Sequence, residues 1–286
     1  MTPTNRGFGA IGLLVIAAAG GYVVTRTVMR SRAEGPNEPI RTGSIPIDEV
    51  SGLAIGQGDV LWVHNDSGAD STLYAIDSAG NLLATFDVGG SSSHDWEDIS
   101  RGPCSRGRRQ GCLYIADIGD NARRRSYVSI YRLPEPEPSG GDATVQADRM
   151  DLVYPDGPVN AEAIFVDRAG IVHLLTKEEG QTRHMRASFA PGNSTWQYVE
   201  TIPLSPGELV TGADYDPDNR RVLVRTYDRV LEFDFRQNRF TGRSRELPVQ
   251  DERQGETIAY SHRRRRFWHV SEGQGAAIWS EPIPRW

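Results

Sequence analysis

Three glutamates, Glu97, Glu162 and Glu256, begin short β-rich segments that resemble one another in sequence. If the fold brings these segments around a common axis, the carboxylates repel one another unless they are protonated, hydrogen-bonded or neutralised by a cation. Ca²⁺ takes about six to eight oxygen ligands, commonly a mixture of carboxylates, carbonyls and water. The residues predicted to hold such an ion are Glu97, Glu162, Glu256, Asp117, Asp120 and Asn65. Alternatively, these side chains cap strands by accepting backbone N–H groups, and the sequence leaves both interpretations open.

Cationic and phenolic side chains are predicted to lie beside the glutamates. Lys177 is the only lysine in a chain with 31 arginines, and like Arg225 and Tyr227 it lies at or just beyond the end of a predicted strand. Beside a metal ion, this combination suits a small phosphorylated or carboxylated ligand. The residues predicted to contact that ligand are Lys177, Arg225, Tyr227 and Glu272. The simpler alternative is that Lys177 forms an ion pair with Glu162 or Glu178 and has no further role.

Two residues are candidates for proton transfer, His94 in the loop SSSHDWED and Glu162. His94 lies beside an aspartate, and an imidazole in such a position can act as a general base. The sequence contains no GxSxG, HExxH, P-loop or helix-opening GxGxxG motif. The run Asp214-x-Asp216-x-Asp218 resembles the start of an EF-hand loop but lacks its later glycine and glutamate, so a turn is predicted there.

An internal repeat predicts the elements that position these residues. Five segments start alike, and each is followed by a second β-rich run with a polar end; the starts are SGLAIG at 51, EDISRG at 97, EAIFVD at 162, GADYDP at 212 and ETIAYS at 256. Their spacings of 46, 65, 50 and 44 residues suit four-stranded blades of an all-β propeller. Five blades are predicted, or six if the long second unit contains another. The last unit lacks a fourth strand, which residues 40–48 can supply, and this closure would cover the sheet edges.

Propeller topology separates the charges onto two faces. Starts of first strands and ends of second strands meet on one face, here called the top, which is therefore predicted to be acidic. The hairpins between first and second strands form the bottom, and their arginines are Arg106, Arg108, Arg109, Arg220, Arg221 and Arg263 to Arg266. Anionic lipid attracts each such residue by about 1 kcal/mol. The bottom is thus predicted to face a membrane, unless these arginines are only solvated turns.

The N-terminal region predicts a membrane tether. Residues 1–6 are a short flank, residues 7–24 contain no charge, residues 25–38 form a polar linker, and residues 39–286 form the propeller domain. Eighteen uncharged residues lie at the short end of the range for a transmembrane helix. The alternative is a cleaved signal peptide, in which case the domain would be secreted.

The orientation of this tether rests on conflicting signals. Three arginines follow the apolar segment and one precedes it, which by the positive-inside rule would keep the domain in the cytoplasm. Cys104 and Cys112, the only cysteines, enclose a hairpin-sized loop that a disulfide could close, which favours an oxidising compartment. We give more weight to the cysteines and predict a membrane-anchored, extracytoplasmic protein.

Several motifs resemble those of a family of secreted bacterial β-propellers for which no activity is established. They are SGLA (51–54), HNDSG (64–68), ADIGDN (116–121), IYRLPEPEP (130–138), YPDGPVNAEAIFVD (154–167) and VLVRTYD (222–228). The resemblance implies a propeller outside the cytoplasm. In architecture the chain is also similar to phytase-like and lactonase-like propellers, which bind calcium on carboxylates in the central funnel. Ser51 and Gly212 depart from that pattern, because they stand where two blades could have supplied further carboxylates.

Two functions follow from the predicted top face. The first is a calcium-dependent hydrolase that acts on a phosphoester or lactone, and the second is a non-catalytic module that binds a small anionic ligand or a protein partner. A structural role in the cell envelope would need only the tether and the fold. The net charge of −6 gives no sign of a nucleic-acid partner, and none is expected. The protein is predicted to be a monomer.

Overall fold

The computed structural model describes residues 38–286 except 67, 69, 106–110, 251, 253 and 262–264. It also describes a two-residue ladder, β1 (Ala17–Ala18) with β2 (Gly21–Tyr22). The rest of the predicted flank, apolar segment and linker lies outside the described residues. Among the residues that are described, no helix has the length and apolar character needed to cross a membrane.

Five antiparallel four-stranded blades form the domain. Blade 1 contains β4 (Val50–Ile55), β5 (Leu61–Asn65), β6 (Thr72–Ile76) and β7 (Leu82–Gly89). Blade 2 contains β8 (Trp96–Pro103), β9 (Gly111–Asp117), β10 (Val128–Pro134) and β12 (Asp148–Val153). Blade 3 contains β13 (Ala161–Val166), β14 (Ile171–Thr176), β15 (Gln181–Ser188) and β17 (Gln197–Pro203). Blade 4 contains β18 (Val210–Asp216), β19 (Arg221–Thr226), β20 (Val230–Arg236) and β21 (Arg239–Leu247).

The fifth blade combines both ends of the domain. Its strands are β22 (Ala259–Ser261), β23 (Arg266–Val270), β24 (Ala277–Pro282) and β3 (Ile40–Ser44), and β3 pairs with β24 as the outermost strand. The prediction of a five-bladed propeller closed by an N-terminal strand is therefore confirmed. No sixth blade lies in the long second unit where the structure describes it, because its extra residues form a loop and the short strand β11 (Ala143–Gln146).

Two short strands join neighbouring blades at their outer edges. β11 follows blade 2 strand β10 in the chain but pairs in parallel with β7 of blade 1. In the same way, β16 (Gly192–Thr195) leaves blade 3 and pairs in parallel with β12 of blade 2. Two single 3-10 turns, Gln57–Asp59 and Pro138–Gly140, complete the regular structure of the described residues.

The core lies between the blades, because each sheet is covered on both faces by its neighbours. The inner strands are therefore buried on both faces rather than at alternate residues, and all seven residues of β9 are buried. Between blades 1 and 2, Trp62, Trp96 and Tyr131 lie in one apolar cluster. Each such side chain contributes about 1.5–3 kcal/mol of burial free energy, so the blades hold one another in place.

Buried carboxylates add polar contacts between blades. The Asp98 side chain, 1 % exposed, accepts backbone N–H groups from Ile164 of blade 3 and Ala213 of blade 4 at 2.9 and 3.3 Å. Burial raises the pKa of Asp98 well above its usual range, although the backbone donors act in the opposite direction. Glu135, in the loop after β10, accepts the Trp62 indole N–H of blade 1 at 3.2 Å. Asp98 therefore connects the innermost strands of blades 2, 3 and 4, and Glu135 connects blade 2 to blade 1 at the bottom face, where it also accepts the backbone N–H of Gln57 in the β4–β5 hairpin.

The predicted disulfide between Cys104 and Cys112 is confirmed. It closes the hairpin between β8 and β9, where Gly102 pairs with Cys112 and Pro103 with Gly111.

The arginines of the predicted basic bottom face have different environments. Arg106, Arg108, Arg109, Arg263 and Arg264 lie outside the described residues. Arg266 is 3 % exposed and donates to the backbone oxygen of Glu38, and Arg221 pairs with Asp234. These two residues therefore stabilise the domain from within.

Candidate functional site

A β-bulge at the same place in the innermost strand of four blades presents one residue to the propeller axis. Pairing with the second strand shifts between Val50 and Gly52, and the shift recurs at equivalent positions in blades 2, 3 and 4. The residues skipped by the ladder are Ser51, Glu97, Glu162 and Thr211, and Glu256 follows the corresponding Gly255–Ser271 bridge in blade 5. Bulges of this kind often re-aim a side chain next to a functional site.

This register corrects the sequence alignment of blade 4. Thr211, not Gly212, is equivalent to the three glutamates, because the bulge adds one residue that spacing alone does not reveal. Its hydroxyl donates to the backbone oxygen of Gly255 at 2.7 Å, and Ser51 donates to the backbone oxygen of Glu97 at 2.9 Å. Ser51 and Thr211 thus hydrogen-bond to the next blade, whereas the three glutamates place carboxylates at the axis.

All five blades contribute to a cavity of about 280 Å³ on the top face, here called the axial pocket. Its acidic lining residues are Asp66, Asp95, Glu97, Glu162, Glu256 and Glu272. Among the described residues that line it, Lys177 is the only cation. The top face that was predicted to be acidic therefore contains a cavity whose charged lining residues are almost all acidic.

Carboxylate oxygens of Asp66, Asp95 and Glu97 lie within 4.8 Å of one another. Asp66 follows the end of β5, and Asp95 and Glu97 lie on either side of the start of β8. Sequence analysis missed Asp66 and Asp95 as ligands, although both lie within quoted motifs, HNDSG and SSSHDWED. The signal was their position next to strand ends on the top face.

Burial and like charge shift the titration of these acids toward the protonated form. Desolvation, followed by the charges of Glu162, Asp95 and Asp66, raises the pKa of Glu97 well above its usual range. Desolvation and Asp66 likewise raise the pKa of Asp95. Burial raises the pKa of Glu256 to about 7, so this carboxyl changes charge near neutral pH. A bound cation would stabilise the ionised carboxylates and so lower these pKa values.

Lys177 forms the centre of a polar cluster on the opposite side of the pocket. Its Nζ lies 2.5 Å from a Glu162 carboxylate oxygen and 2.6 Å from the Tyr227 hydroxyl. Burial lowers the pKa of Lys177, but the Glu162 charge and the two hydrogen bonds outweigh it and raise that pKa overall. Of its two predicted partners, Lys177 thus pairs with Glu162, while Glu178 pairs with Arg183 at 2.6 Å.

Other predicted ligands support the pocket from outside it. Asp117 pairs with Arg125 at 2.8 Å and accepts the backbone N–H of Asp95 at 3.1 Å. Both carboxylate oxygens of Asp120 accept backbone N–H groups of the following turn, at 2.8 Å each. Asn65 ends β5 and pairs with Val50. The side chains of Asp117 and Asp120 thus hold the top loops in place, as the capping alternative proposed, whereas the buried side-chain oxygen of Asn65 accepts no hydrogen bond from the described residues.

Two of the predicted functional residues lie away from the axial pocket. Arg225 is 1 % exposed and donates to Glu252 at 2.9 Å, beneath the chain near Gly255. His94 is exposed and lines a neighbouring cavity. Glu272 and Tyr227, by contrast, line the axial pocket.

Comparisons with known proteins support the architecture alone. No family model matches the sequence, and no curated protein matches it. A crystal structure of a glucose dehydrogenase is similar with a TM-score of 0.50 and 8 % identity, covering 86 % of this chain and 99 % of that one. A PQQ-bound aldose sugar dehydrogenase from Streptomyces coelicolor gives a TM-score of 0.48 and 14 % identity, covering 86 % and 98 %. A virginiamycin B lyase from Staphylococcus aureus gives 0.42 and 10 %, covering 81 % and 65 %.

Proposed function

We propose that the axial pocket binds Ca²⁺ and hydrolyses a small anionic phosphoester or lactone. The observation that carries this proposal is the convergence of Asp66, Asp95 and Glu97, whose oxygens lie within 4.8 Å of one another in an acidic cavity. Carboxylates without sulfur or imidazole donors favour a hard cation such as Ca²⁺.

The environment of the three carboxylates fits such an ion. Glu97 is 6 % exposed, so its charge is poorly solvated, and the pKa shift records the cost of ionising it beside its neighbours. Lys177, the only cation among the described residues that line the pocket, is already bonded to Glu162, and burial keeps the pKa values of Asp95 and Glu97 raised. The Asn121 side chain and water could complete the oxygen coordination, since Asn121 also lines the pocket.

The residues of the chain would bind the substrate and move the proton. Lys177 and Tyr227 would hold the anionic part of the substrate, because their donors already meet at one point of the pocket wall. Glu256, with a pKa of about 7, is suited to accept a proton from the attacking water at neutral pH. A bound cation would polarise the phosphoryl or carbonyl oxygen and lower the pKa of water.

A non-catalytic binding function is the second candidate. It is favoured by the position of His94, which lines a different cavity, so the described part of the axial pocket contains no histidine base. In this case the same cation and the same lysine would hold an anionic ligand without turnover.

We also propose that the domain acts outside the cytoplasm. The Cys104–Cys112 disulfide supports this, since such bonds persist in oxidising compartments. Attachment to a membrane would depend on residues 7–24.

Thermal melting of the full chain in EDTA and then in Ca²⁺ tests the proposal. A ligand that binds only the folded state at one hundred times its Kd stabilises it by about 2.7 kcal/mol, so the melting temperature should rise. The rise in melting temperature should be lost in Asp95→Asn and in Glu97→Gln. It should be retained in the control Glu179→Gln, because Glu179 is exposed and lies two residues after Lys177, beyond the end of β14. No Ca²⁺-dependent shift, or a shift retained in both site variants, would refute the metal site.

Turnover assays separate the two candidate functions. The full chain with Ca²⁺ is expected to hydrolyse a generic phosphoester or lactone, and Glu256→Gln should reduce the rate by about a hundredfold or more, as expected for loss of a general base. A calcium shift without turnover on any of these substrates would favour the binding function.

A further inference from the structure

A second cavity, here called the lateral pocket, opens beside the axial pocket at the upper end of blade 2. Its volume is about 300 Å³. The residues that define its chemistry are Arg124, Arg125, Arg149, Tyr127, His94 and Asp117. Its described lining contains three guanidinium groups and one carboxylate, whereas that of the axial pocket is mostly acidic.

The one carboxylate of the lateral pocket is already neutralised. Asp117, with a side chain only 2 % exposed, pairs with Arg125 at 2.8 Å and accepts the Asp95 backbone N–H. The Arg124 side chain is exposed, and it makes no ion pair or hydrogen bond to any residue that the structure describes. The positive charge of Arg124 therefore remains available to a ligand.

Arg149 is held in position on the other wall. Its Nε donates to Asp151 at 2.7 Å, and its guanidinium carbon lies 5.7 Å from the ring centroid of Tyr127. This ion pair compensates the charge of Arg149, but it does not use the two terminal nitrogens of the guanidinium group. Because a guanidinium group presents donors in a fixed plane, it suits the paired oxygens of a phosphate or carboxylate.

We propose that the lateral pocket is an oxyanion-binding site that takes a phosphate group. Arg124 brings the uncompensated positive charge to this cavity. Further donors are the terminal nitrogens of Arg149 and the hydroxyls of Ser92 and Ser126, which also line it, and the oxygens of a phosphate group can accept from several donors at once. The site is separated from the axial pocket by one layer of chain, since Asp95 lines the axial pocket and its neighbour His94 lines the lateral one. If the proposed function holds, one ligand spans both, with its reacting group at the axis and a phosphate in the lateral pocket.

Calorimetric titration of the full chain with inorganic phosphate in EDTA tests the site independently of calcium. Saturable binding is expected, and Arg124→Gln should weaken it about tenfold, as expected for loss of a charge-assisted hydrogen bond. Arg123→Gln is the matched control, because Arg123 belongs to the same turn and is exposed but does not line the cavity. It should bind phosphate as the unmodified chain does.

Three results would overturn the proposal. They are the absence of saturable phosphate binding, equal weakening by Arg123→Gln and Arg124→Gln, and loss of binding in Lys177→Met with full binding in Arg124→Gln. The last would place phosphate in the axial pocket. Because all titrations contain EDTA, a failed calcium experiment and a failed phosphate experiment are distinguishable.

Discussion

The ion pair between Lys177 and Glu162 is predicted to be a large single contribution to the stability of the calcium-free domain. Both side chains are mostly buried, 14 % and 6 % exposed, and their charged atoms are 2.5 Å apart. Lys177→Met keeps most of the apolar stem but leaves the Glu162 carboxylate without its cation. Breaking a buried pair in this way costs about 3–5 kcal/mol. The lower end applies here, since the pocket is open to solvent and Glu162 can take up a proton.

A double-mutant cycle measures this coupling. At about 3 kcal/mol, and at about 2–4 °C per kcal/mol for a domain of this size, Lys177→Met should lower the melting temperature in EDTA by about 6–12 °C. Adding Glu162→Gln should recover most of the loss, because the uncompensated charge is then gone. The cycle for Arg183→Met with Glu178→Gln is the control, since this pair in the same blade is more exposed and should couple by about 1 kcal/mol or less. Equal coupling energies in the two cycles, or a double variant no more stable than Lys177→Met, would refute the reasoning.

Three further predictions concern pH, the disulfide and the contact between blades 1 and 2. The folded-state pKa of Glu256 is raised from 4.5 to about 7, so its contribution to stability is complete below about pH 4.5 and is lost as the pH rises through 7. The melting temperature in EDTA should therefore fall between pH 5 and 8, and it should fall less steeply in Glu256→Gln. Identical slopes in the two proteins would argue against the raised pKa. Reduction of Cys104–Cys112 should destabilise the domain by up to about 2.5 kcal/mol, measured by urea unfolding with and without reductant; no change would mean that the hairpin ladder alone fixes the loop. Glu135→Ala should lower the free energy of unfolding by about 2–4 kcal/mol, because it leaves the Trp62 indole and a backbone amide without acceptors. The control Glu137→Ala, at an exposed position, should have no measurable effect. Similar losses in both variants would contradict this assignment.

The propeller could be predicted from the sequence because β-rich segments with similar starts recur five times along the chain. The register of the strands within each blade could not be predicted. Strands covered on both faces carry no alternation that fixes their register, so the bulge before Gly212 was invisible and Thr211 was overlooked. The strand β11 has only four residues, Ala143–Gln146, and its sequence gave no signal that it would pair with blade 1.

The candidate site was predictable in its charge but not in its membership. Chain position correctly brought Glu162, Lys177 and Tyr227 together, since their strand ends meet at the top of a propeller. It could not tell which loop carboxylates turn toward the axis, because that depends on hydrogen bonds such as the one from the Asp95 N–H to Asp117. Arg225 likewise ends in the expected place, yet its side chain turns inward to Glu252 and becomes buried.

The bulge in the innermost strand of four blades has a consequence for how the surface of the axial pocket could change over time. A residue skipped by the ladder contributes its side chain to the axis while its neighbours carry the strand pairing, so strand pairing does not fix its identity. Natural variation within the chain shows the tolerance, as serine, glutamate and threonine already occupy equivalent places. Ser51 and Thr211 bond to the next blade and Glu162 bonds to Lys177, so changes at these three positions also cost stability. Glu97 and Glu256 are therefore the two positions at which directed evolution can change the charge and ligand preference of the axial pocket with the least effect on the scaffold.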